Sequence, residues 1–408
     1  MDKVLLRKTY DYLSKIIREG AYINVVLSDL KDTEDRALIT KIVYGVTERY
    51  YELNQIVASL CPKSPKPAIK VVLMQAIYAI QYLEIPNYAI VNASVDLVQD
   101  IGKKELKGFV NAVLKKATKK EYSLPTDEKS LFEAKYNLPY SLIQAVKNDC
   151  GENAECVLNP PRDANEHIRV SLKANLKEVL EYLGEYKESE IGGYFVKNNE
   201  KVKRLFERGK ITFQSPSSMF AVNALGKVEG KSVLELCSAP GGKAVYTAEK
   251  GADVTACDIH PMRVRLIEKY ATRMGVKVKT QVNDAKKERK EWLNKFDVVT
   301  VDAPCSGLGV IAKRPDIALS FDAKEYDKLV LEQRAILKQG AKYVKRGGIL
   351  LYSTCTILKA ENEVAVRDFL IKHSDFEIEP FEGAESGEIT LYPSDNYDGF
   401  FVAKLRRK

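Results

Sequence analysis

Histidine is scarce in this chain of 408 residues: there are three, His167, His260 and His373, and no HExxH pattern. An imidazole-rich metal site is thereby excluded, and no metal is expected. Cys257 and His260 stand close together, but two candidate ligands do not make a site, and a buried strand cysteine followed by a loop histidine is the simpler reading. The seven cysteines are odd in number and lack CxxC spacing, which excludes a disulfide scaffold and fits a reducing cytoplasm. No apolar run approaches the ~18 residues of a membrane span, and the first residues lack the apolar stretch of a secretion signal. Fixed-period repeats and low-complexity tracts are also missing. Wholesale disorder is excluded by 45% hydrophobic residues, enough for several cores.

The length implies two or three domains. The formal charge is +8, which favours a polyanionic partner where the positive charge clusters. Residues 1 to about 125 read as helical. In Ala68–Leu83 the residues Ile69, Val72, Leu73, Ala76, Ile77 and Ile80 fall on one stripe, stopped by Pro86. Gly102 marks the end of the next helix, and a third runs from about Leu106 to Thr118. Lys103–Lys120 holds seven lysines against one acid, so a solvated helix face and a nucleic-acid footprint are both open. Residues 126–212 read as a small α+β module: a helix over Leu131–Asp149, a strand near His167–Leu172, a helix at Leu176–Leu183, a turn at Gly192-Gly193 into a strand. Its Lys197–Lys210 stretch carries six basic residues and two acids.

From 213 to 408 strands and helices alternate. Strands are expected at Ser232–Leu236, Asp253–Cys257, Val278–Val282, Asp297–Val301 and Gly348–Tyr352, with helices over Met262–Met274 and Tyr326–Val344. That alternation predicts a parallel, doubly wound α/β sheet, whose ligands lie beyond the C-terminal strand ends. The first strand runs into Cys237-Ser238-Ala239-Pro240-Gly241-Gly242-Lys243, small residues that admit a ligand to the backbone. The spacing is neither GxGxxG nor GxxxxGK[ST]. Asp258 follows the second strand, where a carboxylate can take two ribose hydroxyls or cap a helix. Asp284 follows the third, near the expected place of an adenine, although Asn-Asp is also a common turn pair. Cys305, three residues after Asp302, and Cys355 follow two further strands over the same crevice. One such cysteine is usually structural; two at adjacent ligand-facing positions point to chemistry.

Cys237–Lys243, Asp302–Gly307 and Ser353–Thr356 resemble the motifs of the RNA 5-methylcytosine methyltransferases, which use S-adenosylmethionine. The resemblance spans the chain. Thr33-Glu34-Asp35-Arg36-Ala37, Val43-Tyr44-Gly45, Ile85-Pro86 and Gly108–Leu114 resemble a NusB-type RNA-binding domain. With Gln214, Arg314-Pro315-Asp316-Ile317 and Asp398-Gly399-Phe400-Phe401, the combination is most similar to the bacterial 16S rRNA methyltransferase B (Sun/Fmu) branch. The implied architecture is an all-α NusB-like domain (1–125), an α+β RNA-binding module (126–212) and a Rossmann-like methyltransferase domain (213–408). Two positions depart from the family pattern: Ser215 stands where many relatives carry an acid, and Ser394-Asp395 where many carry a basic residue. Both are support positions and bear on substrate identity rather than reaction.

The resemblance implies that Cys237 to Lys243 line the S-adenosylmethionine pocket, with Asp258 on the ribose and Asp284 on the adenine amine. It implies that Asp302 lies between the methionine end and the target base, that Cys355 is the nucleophile and that Cys305 aids product release. Lys243 would promote the thiolate. In cytosine DNA methyltransferases the nucleophile is the cysteine of the Pro-Cys motif, here Cys305; the family pattern assigns Cys355 because Thr354-Cys355 is present. The target base must be single-stranded or flipped out. Lys313 and Arg314 could hold phosphates or form an ordinary solvated loop. The expectation is therefore a cytoplasmic enzyme, a monomer by default, with 16S rRNA as partner and no membrane. The rivals are the same reaction on another RNA such as tRNA, and a non-catalytic RNA-binding or assembly factor.

Overall fold

The computed structural model describes residues 3–28, 30, 35–161 and 165–408. Thr33 and Glu34 of the NusB-like motif lie outside them. The chain forms two compact units: residues 1–147 with 313–321, and residues 148–312 with 322–408.

The first unit is helical. Its centre is the helix Pro67–Tyr82, which opens on a proline whose missing N–H has no partner to lose at that position. Ile69, Val72, Leu73, Met74, Ala76 and Ile77 are all buried there among residues of Lys3–Glu19, Arg36–Glu48, Tyr50–Leu60, Asn87–Asp100 and Lys107–Thr118. Burying each large aliphatic side chain stabilises the fold by roughly 1.5–3 kcal/mol. Gly45 lets Tyr78 lie against its bare Cα, since a Cβ there would sit 2.1 Å from the ring. Gly102 adopts a φ of 72° just past its helix, as the sequence anticipates. The expected single helix over Leu131–Asp149 is two, Glu128–Tyr136 and Tyr140–Cys150. Asn137 takes a left-handed φ of 53° and Pro139 cannot continue a helix, so the apolar period runs across a real break. The segment 313–321 is held in this unit by Leu319 against the helical core, by Asp316, whose Oδ2 accepts the Ile23 N–H at 3.4 Å, and by Arg314 over the Tyr22 ring.

The second unit holds two sheets. Strands β1 (Glu166–Val170), β2 (Lys187–Glu188), β3 (Tyr194–Val196) and β4 (Ile211–Phe213) form an antiparallel sheet in the order β2-β3-β1-β4. Val179 and Leu183 of Leu176–Leu183, with Val202 and Leu205 of Glu200–Glu207, pack against Ile168, Val170, Val196 and Ile211. Asn175 and Asn199 cap these two helices by accepting the N–H groups of Glu178 and Val202.

The larger sheet contains β5 (Ser232–Leu236), β6 (Asp253–Asp258), β7 (Lys279–Val282), β8 (Phe296–Asp302), β9 (Val344–Thr354), β10 (Phe376–Ile378), β11 (Glu388–Leu391) and β12 (Phe400–Arg407). Its order is β10-β12-β9-β8-β5-β6-β7, with β11 also paired to β12. The five expected strands are present and parallel to one another. The sheet is nevertheless mixed, because β12 pairs antiparallel with β9, β10 and β11. Alternation of strands and helices identifies only parallel crossovers. The closing strands carry no crossover helix between β11 and β12, which is why the purely parallel expectation fails there. Each face of the sheet is covered: Leu234, Leu236, Val299, Val301, Leu350 and Tyr352 face one core, while Val233, Val254, Ala256, Val298, Leu351 and Val402 face the other.

Candidate active site

The order β7-β6-β5-β8-β9 places the topological switch of the parallel strands beside β5. The turn after β5 is built for close approach. Cys237 takes a left-handed φ of 56°, and Gly241, at 103°, adopts a conformation that glycine alone reaches without strain. The Ser238 N–H donates to Cys257 O and the Gly241 N–H to Ser238 O, each at 2.8 Å. Helix Gly242–Glu249 then starts with its free N–H groups at the crevice. Below it, Glu235 is buried; its Oε2 accepts the Ser238 hydroxyl at 2.8 Å, and burial pushes its carboxyl up to about 7 despite nearby Lys243.

Asp258 ends β6. One oxygen accepts the His260 N–H at 3.2 Å; the other, Oδ2, is buried with no hydrogen-bond partner. His260, not Asp258, occupies the cap position of helix Pro261–Arg273, so the helix-cap reading of Asp258 does not hold. Next to it the buried Asn283 side-chain nitrogen is also without a partner, while Ile259 and Val282 expose apolar side chains. Orphaned polar atoms beside uncovered apolar ones fit a nucleoside: hydroxyls for the carboxylate, a ring face for the aliphatic groups. Asp284 is half-buried and turned partly toward its own loop, its Oδ1 accepting the Lys286 N–H at 3.1 Å and its Oδ2 3.9 Å from Lys287.

On the other side of β5, Asp302 ends β8. Its Oδ2 accepts from Lys243 Nζ at 2.5 Å and its Oδ1 from the Ser353 hydroxyl at 3.1 Å. Burial alone would depress the Lys243 ammonium, but Asp302, Glu235 and Cys355 more than offset that and hold it above its ordinary value. Lys243 also lies over the Phe400 ring, and Phe400 comes from the Asp398–Phe401 motif. Cys305 and Cys355 meet with their sulfurs 3.1 Å apart. The contact with Cys355, then burial, pushes the Cys305 thiol well above its ordinary value. Burial likewise raises Cys237 and Cys257, each to about 12, so neither is a thiolate.

Cys237 to Lys243, Asp258, Asp284, Asp302, Cys305 and Cys355 thus stand at the C-terminal edge of the parallel strands, whereas Lys313 and Arg314 belong to the helical unit. Arg314 does not serve as an uncommitted phosphate clamp, because its guanidinium is engaged by Asp316 at 3.1 and 3.2 Å. The three histidines are structural or capping: His167 bonds Gln214 O and Gly192 O, and His373 stacks on Phe369. Among the described residues no group of three His, Cys, Asp or Glu could hold a metal ion, and no helix is long and apolar enough to cross a membrane. Sequence reasoning missed two residues that brace the cysteines. Glu361 is fully buried and accepts from the Ser306 N–H (2.9 Å), the Ser306 hydroxyl (2.6 Å), Gln333 Nε2 (2.8 Å) and the Thr356 hydroxyl (3.2 Å). Asn362 accepts from the Thr354 hydroxyl at 2.6 Å and donates to Thr356 O at 3.0 Å. Lys359-Ala360-Glu361-Asn362-Glu363 reads as a charged, solvated helix start, and only burial shows otherwise.

Residues 222–406 match the family described as 16S rRNA methyltransferase RsmB/F, and residues 7–119 match the NusB family. A probable ribosomal RNA small subunit methyltransferase B of Bacillus subtilis is 31% identical over 97% of both chains. The chain belongs to the RsmB/F family of methyltransferases. A ribosomal RNA small subunit methyltransferase B of Escherichia fergusonii is 26% identical, again over 97% of each chain. In fold, the solved structure of PH0851 covers 100% of this chain and 99% of its own at TM-score 0.84 and 26% identity. NSun6 from Pyrococcus horikoshii, solved with SFG, aligns over 66% of this chain and 98% of its own at TM-score 0.57 and 23% identity. The methyltransferase is therefore an enzyme with RNA as its substrate class, which removes the reading as a non-catalytic assembly factor, and S-adenosylmethionine is its methyl source. The cradle around Asp258 and Gly241 fits that cofactor.

Proposed function

We propose that this enzyme methylates carbon 5 of a cytosine in 16S rRNA through a covalent bond between Cys355 and carbon 6. The observation that carries the reading is the thiol pair Cys305–Cys355, 3.1 Å apart and flanked by Asp302 and Lys243. S-adenosylmethionine supplies an electrophilic methyl on a sulfonium. In this reading Asp258 holds the ribose, Asp284 the adenine amine, and the backbone from Cys237 to Lys243 the remainder.

The Cys355 thiolate adds to carbon 6, and the ring electrons shift to carbon 5, which takes the methyl. Asp302, held by Lys243 and Ser353, bonds the pyrimidine edge, passes a proton to the ring nitrogen as the sulfur adds and takes it back once the methyl has arrived, so that charge does not accumulate on the ring. The carbon-5 proton then passes to a base at the site while the carbon–sulfur bond breaks, the ring double bond re-forms and the Cys355 thiolate leaves, a release that Cys305 assists. Contact with Cys355 and burial hold the Cys305 thiol well above its ordinary value, in keeping with a role other than nucleophile. In the proposed three-part organisation, the exposed Lys104, Lys115, Lys116, Lys119 and Lys120 and the basic Lys197–Lys210 stretch extend the RNA footprint in a cytoplasmic enzyme.

The test incubates each cysteine variant with substrate RNA and cofactor, followed by denaturing electrophoresis. Cys305→Ala is expected to accumulate a retarded protein–RNA band, and Cys355→Ala to form none and lose turnover. A band with Cys355→Ala and none with Cys305→Ala reverses the assignment. Product analysis that finds the methyl on an atom other than carbon 5 of cytosine refutes the reaction.

A further inference from the structure

We propose that Glu361 is a positioning residue that sets the distance between the two thiols; the inference rests on the reading that Cys305 and Cys355 act as a pair. The two cysteines come from different strand ends, 50 residues apart in sequence. Each is followed by a hydroxyl residue, Ser306 and Thr356, and the two hydroxyls are 2.7 Å apart. One carboxylate oxygen of Glu361 accepts from both hydroxyls, and the other accepts from the Ser306 N–H and from Gln333, which also donates to Pro304 O at 2.8 Å. The residues after both cysteines are thus tied directly to a single side chain, and the residue before Cys305 is tied to it through Gln333. Glu361 itself is anchored where the Tyr352 hydroxyl donates to its carbonyl at 2.7 Å.

A fully buried carboxylate is a costly way to hold two loops together. Apolar packing of the same volume is often as stabilising or better, because the desolvation penalty is avoided. Donors from three separate segments give Glu361 something packing cannot supply: directional bonds that fix both loops in translation and rotation. Sulfurs in contact make proton exchange between them immediate, whereas a drift of an ångström would place the proton-handling thiol out of reach of the adduct. Glu361 touches neither the cofactor cradle nor Asp302, so its loss would leave cofactor binding in place.

The first measurement needs no RNA. Diamide takes two electrons and two protons from a pair of thiols, forming a disulfide and the reduced hydrazine; the rate for Cys305–Cys355, read by peptide mass spectrometry, reports how often the sulfurs meet. Glu361→Gln keeps the shape and one acceptor oxygen, while Glu361→Ala removes the shared acceptor altogether and leaves the hydroxyls only each other and Gln333 only Pro304 O. Both are expected to slow disulfide formation at least tenfold and lower single-turnover kcat at least tenfold, with the Kd for S-adenosylmethionine and the KM for RNA within twofold. Unchanged disulfide rates in folded Glu361→Gln protein overturn the inference. A parallel loss of cofactor affinity in Glu361→Gln overturns it too, since that is a general structural effect. If the covalent RNA complex never forms in Cys305→Ala yet the disulfide rate still depends on Glu361, the cytosine chemistry fails and the positioning role stands.

Discussion

Replacing Asp258 by alanine tests the cofactor cradle most directly. The residue is 2% exposed, and its Oδ2 has no hydrogen-bond partner; the nearest cation is Arg263, whose Nε lies 3.5 Å away on a half-exposed side chain. A buried acceptor left unmet costs about 1–3 kcal/mol, more if charged, and ribose hydroxyls would relieve that cost on binding. A hydrogen bond to a charged group contributes about 1.5–3 kcal/mol, and about 1.4 kcal/mol is a tenfold change in affinity. Loss of even one such bond therefore weakens S-adenosylmethionine binding at least about tenfold, and loss of two on the order of a hundredfold or more. Stability should change little. The variant loses the 3.2 Å bond from the His260 N–H and the 3.5 Å ion pair with half-exposed Arg263 but also sheds a buried oxygen without a hydrogen bond, effects of opposite sign. Asp258→Asn keeps an acceptor without the charge and should fall between wild type and alanine. Isothermal titration of the three proteins, with thermal unfolding as control, reads both quantities. Wild-type affinity in folded Asp258→Ala protein would refute the assignment.

Neutralising Lys115, Lys116, Lys119 and Lys120 should flatten the plot of log RNA affinity against log salt by about 0.7–0.9 for each phosphate that these lysines pair with; an unchanged slope makes them a solvated face. Gly309→Ala should destabilise the enzyme by about 1–3 kcal/mol in denaturant unfolding and cost turnover. Its Cβ would sit 2.0 Å from Gly399 O, disrupting the 2.8 Å bond from the Gly399 N–H to Gly309 O and the 3.0 Å bond from the Gly309 N–H to Cys355 O. Asp297 has a carboxyl that burial would raise, but Lys345 and Ser232 hold it down at about 2, below its usual 3.8. It therefore contributes stability above about pH 4 that drains away as pH falls through about 2. Asp297→Asn should lower neutral-pH stability by on the order of 1 kcal/mol, a partly exposed pair being screened, and flatten the acid limb of the unfolding profile.

The parts of this protein legible in its sequence are those set by neighbours in the chain. The apolar stripe of Ile69, Val72, Leu73, Ala76 and Ile77, the alternation from Ser232 to Tyr352, and the small residues of Cys237–Lys243 each declare a local period or backbone demand. A strand-end position follows from them, and with it the common edge that carries Asp258, Asp284, Asp302, Cys305 and Cys355. Where the fold departs from the local pattern, a non-local partner or an overlooked breaker decided. Asn137 and Pro139 cut a helix whose apolar period continues across them. Strand β12 fills its place only because β9, β10 and β11 offer open edges, and edge pairing leaves no periodic signature that distinguishes parallel from antiparallel. Arg314 reads as a free cation until Asp316 and Tyr22 are seen around it. Glu361 reads as surface charge, yet its donors come from Ser306, 55 residues away, and Gln333, 28 away. A buried carboxylate is defined by the groups that replace water around it, and those groups are assembled by tertiary packing, not by the chain on either side.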